Sequence, residues 1–123
     1  MTTTLRPPPD PRSLEDALRA GEPQRLGRAL ANAERHLREH HRDAHQGGGL
    51  LEEADRTRPA LERREDRLLE EMGCLLRKAR QLLRGSAPDR GVRELAAGLR
   101  RLRAGEAELA QEAALGGDLG AGD

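Results

Sequence analysis

The chain has 123 residues, with 22 basic and 22 acidic side chains and so no formal net charge; no global field draws it to nucleic acid or to a membrane surface. It holds no Phe, Tyr or Trp, so a core must be built from Leu, Ala, Val and Met, without the residues that bury most area, and modest stability with loose packing is expected. The length suits one domain, no stretch approaches a membrane span, and the lone Cys74 cannot form an internal disulfide.

The start, "MTTTLRPPPDPRS", has no apolar run of the kind a secretory signal carries. A cytoplasmic protein of bacterial type fits best. The bias to Arg, Ala, Gly and Pro, with Lys78 the only lysine, would also follow from GC-rich coding. Residues 1–12 read as a disordered, polyproline-like arm. Ser13 followed by Asp16 reads as a capping box opening a short helix over 14–20, which "AGEP" ends.

A long helix is predicted from Pro23 or Gln24 to His45 or Gln46. Leu26, Leu30, Ala33, Leu37 and Ala44 recur at three- and four-residue steps and form one apolar stripe. Three glycines at 47–49 break it, because each costs backbone entropy in a helix. Thr57 is read as the cap of a second long helix that tolerates Pro59 in its first turn and runs to Arg84. "GSAPDRG" is a loop, and a third long helix covers 89–115. Residues 116–123 read as a glycine-rich polar tail.

The second and third long helices repeat at near-heptad spacing. Leu61, Leu68, Leu75 and Leu82, with Met72 and Ala79, line one face. Val92, Leu99 and Ala113, with Leu95, Leu102 and Leu109, line the other. Short connections favour antiparallel neighbours. The expected fold class is all-α: an up-down helical bundle of three long helices plus the short N-terminal one, in a domain over 13–115.

All four histidines lie between 36 and 45, in "HLREHHRDAHQGGGLL". With Leu37 at the centre of the stripe, His40 and His41 fall on its two shoulders, and His36 and His45 lie further round. His36 with His40, and His41 with His45, have the four-residue spacing at which two imidazoles share a metal. A structural zinc takes four ligands and a catalytic one three, and the facing helices hold no histidine. A polar helix end, where His suits the dipole, is the plainer reading.

Three segments resemble a bacterial hemerythrin-like domain. "HHRDAHQGGGLL" resembles the family's histidine, three residues, acidic residue and glycine turn. His41 falls on the histidine in one register, His40 in the other, and His45 replaces the acidic ligand. "LLEEMGCLL" resembles a helix in which Glu-His precedes a leucine repeat, with Met72 at the histidine position. "LRAGEAELAQEAALGGDLGAGD" resembles the last ligand helix, with Leu102 at the histidine position and Glu106 keeping a carboxylate one turn on. The resemblance spans most of 24–123. It implies a four-helix bundle that once ligated two irons through histidines and carboxylates. Met72 and Leu102 imply a repacked core and a degraded di-iron site. Any retained metal, residual iron or zinc, would rest on His41, His45 and Glu106. The departures favour no cofactor at all.

Glu65 and Glu106 occupy core-facing phases; they read as remnant ligands or a register-fixing polar contact, and the favoured reading is that both sit at the frayed, wet end of a short bundle. Cys74 reads as a small buried hydrophobe. No nucleophile, triad or other enzyme constellation is visible, so a binding or sensing module rather than an enzyme is expected. The alternative is a metal-free interaction protein. Residues 77–103 carry nine basic side chains against Asp89 and Glu94, a net +7. Such a hairpin suits an acidic protein partner. Self-association is a further expectation. Nucleic acid is not favoured, since no aromatic can stack on bases.

Overall fold

Apolar stripes at helical spacing and breaks at glycine and proline divide the described residues into four helices. A computed structural model describes residues 8–46, 49–51 and 58–121, with side chains as far as 115. The helices are α1 (Arg12–Ala20), α2 (Pro23–Gln46), α3 (Pro59–Arg84) and α4 (Asp89–Ala121). No strand occurs among the described residues. The helices pack against each other in a ring: α1 on α2, α2 on α3, α3 on α4, and α4 back on α1. Among the described residues, no helix is long and apolar enough to cross a membrane.

Two helix ends and the N-terminal arm depart from expectation. Ser13 does not cap α1, which begins at Arg12 after Pro11 and has no side-chain bond at its N-cap residue. Asp10 serves instead, its Oδ1 accepting the Arg12 N–H at 3.0 Å. Pro11 lacks an N–H, so the first donor that needs a partner is Arg12. That bond, ahead of any neighbouring charge, holds the Asp10 carboxyl below its usual range. At the other end α1 stops at Gly21, whose left-handed φ of 68° turns its N–H onto the carbonyls of Ala17 and Leu18.

The arm expected to be disordered is partly packed. Pro8, Pro9 and Pro11 are buried, and Arg103 donates to the Pro8 carbonyl at 2.8 Å. The nine residues of α1 cannot match the 24 of α2, so residues 8–11 continue its cover. They leave a cleft of about 520 Å³ lined by Pro8, Leu14, His36, His40 and Arg103 among others. Finally, α4 does not stop at 115 but continues to Ala121, through most of the predicted tail. Thr57 lies outside the described residues; Pro59 opens α3 as expected.

The core contains the predicted stripes almost residue for residue: Leu30, Ala33, Leu37 and Ala44 of α2, the Leu61–Leu82 series with Met72 and Ala79 of α3, and Val92, Leu95, Leu99, Leu102 and Leu109 of α4. Leu14 and Ala17 of α1 close it.

One packing device accounts for how α3 and α4 approach. Gly91, Gly98 and Gly105 recur every seven residues on α4, as Leu82, Leu75 and Leu68 do on α3. A Cβ on Gly91 would stand 2.8 Å from Leu82 Cδ2, on Gly98 2.3 Å from Leu75 Cδ2, and on Gly105 2.7 Å from Leu68 Cδ2. The paired numbers rise in one helix as they fall in the other, so α3 and α4 run antiparallel. Each glycine costs about 1 kcal/mol of helix propensity relative to alanine. What it permits is a leucine seated against bare backbone, with the dense packing that protein cores require.

Candidate functional site

The four histidines leave one face of α2 in two directions. His40 points inward and is 3 % exposed. Its Nε2 lies 2.8 and 3.0 Å from the two carboxylate oxygens of Glu106 on α4. The contact joins α2 and α4, which are not neighbours in the ring, and therefore runs across the bundle interior. With Glu106 as a carboxylate, which accepts only, the His40 Nε2–H is the donor. Nδ1 of the same ring is buried with no hydrogen-bond partner.

His41 and His45 turn the other way, towards α3. Their rings meet edge to face, with centroids 4.5 Å apart, and their Nε2 atoms are 3.2 Å apart. The groove beside them is lined by Gly73, Cys74 and Arg77 with Asp66, Glu70 and Glu71. Gly73 makes room: a Cβ there would stand 3.8 Å from His41 Nε2. The His41 pKa is lowered, first by partial burial and then by electrostatic interaction with His45, Arg80, His40 and Arg77. All of these favour the neutral ring, the form in which an imidazole ligates a metal.

The expected set of His41, His45 and Glu106 is therefore split. Glu106 is engaged by His40, the other register of the histidine motif, and His41 pairs with His45. Among the described residues, no three His, Cys, Asp or Glu side chains are grouped so as to hold a metal ion. Met72 and Leu102, at the positions where the hemerythrin-like pattern has histidine, are fully buried in the apolar core. Among the described residues the interior donors do not fit a di-iron centre: His40 and Glu106 are hydrogen-bonded to each other, and no third donor is grouped with them.

Glu65 has a partner that sequence reading did not foresee. It is 6 % exposed, and its Oε2 accepts the backbone N–H groups of both Leu50 and Leu51 at 2.8 Å. Gly49, with φ of 88°, precedes them. The carboxylate thus ties the link that follows α2 to α3, and Leu51 is buried beside it. Neither Glu65 nor Glu106 sits at a wet, frayed end. The signal available in the sequence was the glycine run ahead of two consecutive amides, an arrangement suited to an anion; that the anion would be internal depended on the fold.

Glu34 was also missed. It is 7 % exposed on α2 and lies 3.4 Å from Arg80 of α3 and 3.6 Å from Arg38. Cys74, expected to be buried, is exposed, and Arg77 Nη2 donates to its Sγ at 3.2 Å. Its neighbours Leu75 and Leu76 take the core positions instead.

Five of the hairpin's nine cations meet carboxylates of the same bundle. Arg80 meets Glu34, Lys78 and Arg90 meet Glu94, Arg100 meets Glu15, and Arg101 meets Glu71. Arg103 holds the arm. Arg84 and Arg93 form no ion pair with the described residues. No family model, curated protein or solved structure matches the chain.

Proposed function

We propose that this chain is a small binding or sensing module, an up-down helical bundle of hemerythrin-like descent whose interior metal site has been lost. That descent rests on the resemblance of three sequence segments; Met72 and Leu102, at the positions where the resemblance expects histidine, are buried in the apolar core, and His40 bonds to Glu106 across the interior. The coordination chemistry that remains is on the outside, at His41 and His45. The observation that carries it is the 3.2 Å between their Nε2 atoms. A zinc ion about 2.0–2.1 Å from each nitrogen would subtend about 100° across that gap, close to a tetrahedral angle. In the absence of metal the same two lone pairs share a proton, so metal and proton compete. The ligand class is a divalent ion of borderline softness: Zn²⁺, Ni²⁺ or Cu²⁺.

The alternative, an acidic partner docked on residues 77–103, has less support. Most of that hairpin's cations already face carboxylates of this chain, and an acidic partner would have to displace them.

The test uses a property of the composition. With no Phe, Tyr or Trp in the chain, the only aromatic ring protons belong to the four histidines. Zinc titrated into the untagged protein should move the His41 and His45 signals and leave His36 and His40 in place. His41→Ala should abolish the saturable change while leaving the helical circular dichroism intact. Equal shifts at all four rings, or no saturable shift, would sink the reading.

A further inference from the structure

The pair supplies two nitrogens, and a structural zinc takes four ligands. Nothing among the described residues adds a third. Cys74 shares the groove, but its Sγ is occupied by the Arg77 guanidinium at 3.2 Å. A cation drawn towards the thiol would meet that positive charge first. The open side of the pair faces outward: His45 is exposed and His41 half-buried.

From this we infer that a second copy of the chain completes the site, so that zinc joins two molecules through four imidazoles. The inference rests on the zinc reading of His41 and His45 above. An angle of about 100° at the metal leaves two tetrahedral positions on its far side, and a twofold axis through the ion places the other copy's pair in them. Such an interface is isologous, the commonest form of association for identical chains. The groove beside the pair carries both signs, with Asp66 and Glu70 near Arg77, so a twofold can set acid against base. The chain has no formal net charge, and two copies approach without net repulsion.

Light scattering coupled to size exclusion, on untagged full-length protein with zinc sulfate added stepwise, tests this. The mass should move from 13.5 kDa to about twice that value, peaking at one ion for two chains and reversing with EDTA. Excess zinc should return monomers, because each pair then takes its own ion. His45→Ala should stay monomeric at every zinc level, and Cys74→Ser should dimerise like the parent. One zinc per monomer with no dimer at any zinc level overturns the shared site and leaves the zinc reading standing. No zinc bound at all removes both. A dimer that ignores zinc or survives His45→Ala, or loss of dimer in Cys74→Ser, also overturns it.

Discussion

The seam between α3 and α4 and the polar contacts at Glu65 and Glu106 specify helix positions by opposite means. Along the seam, Gly91, Gly98 and Gly105 face Leu82, Leu75 and Leu68, and register follows from size alone. The seam continues into the polar region: Gly105 adjoins Glu106, and Leu68 lies one turn beyond Glu65. There, register follows from hydrogen bonds, His40 to Glu106 across the interior and Glu65 to the amides of Leu50 and Leu51. The dry region tolerates a lost methyl more readily than an added one. The polar region is tolerant only if both partners of a contact are changed together, because one buried partner left alone loses its hydrogen bond without regaining water.

The largest expected effect breaks the polar side of this comparison. His40→Leu leaves the mostly buried Glu106 carboxylate unpartnered and should cost about 3 kcal/mol in chemical denaturation followed at 222 nm. The double variant His40→Leu with Glu106→Leu should recover most of that loss, since apolar residues can replace a buried pair at little cost. Equal losses in the single and double variants would mean that the pair, and not merely its completeness, stabilises the bundle.

A smaller effect tests the seam. Gly98→Ala forces Leu75 aside, and overpacking of about 1–2 kcal/mol should outweigh the helix propensity gained. Gly27 in α2 has nothing within 4 Å of its Cβ position, so Gly27→Ala should instead stabilise by about 0.5–1 kcal/mol. Opposite signs for the two substitutions in the same denaturation assay are the diagnostic result. Stabilisation by both would show that the seam has slack.

The smallest effect concerns pH at His41. Its folded pKa is lowered below the ordinary 6.5, so between those two values the unfolded chain binds more protons and stability rises with pH. The stabilising contribution is complete above about 6.5 and is lost as pH falls through the lowered folded value. Solvent screens a ring this open, so the change is slight. Comparing melting curves at pH 7.5 and 5.5, the drop on acidification should shrink in His41→Gln; an unchanged drop would assign it to other groups.

Helix positions and their buried faces were determined by the sequence itself. Leucine at three-, four- and seven-residue steps has only one way to leave water, and glycine with proline leaves few places for helices to end. The Asp10 cap and the run of α4 to Ala121 depart from this reading because local signals compete at helix ends. Several capping residues are available there, and propensity alone is weak against packing. Leu14 and Ala17 of α1 were similarly hidden, since nine residues offer too short a period to register.

Which polar groups meet was decided by the tertiary structure. His40 and His41 are adjacent in the chain and equivalent in pattern, on either shoulder of one stripe. A rotation of about 100° per residue sends one ring across the interior to Glu106 and the other towards α3. The partners of Glu65, Glu34 and Arg80 likewise come from segments distant in sequence, and so does the exposure of Cys74. Periodicity assigns a residue to a face of its own helix. Only the approach of a second helix, set here by three glycines against three leucines, determines what that face will touch.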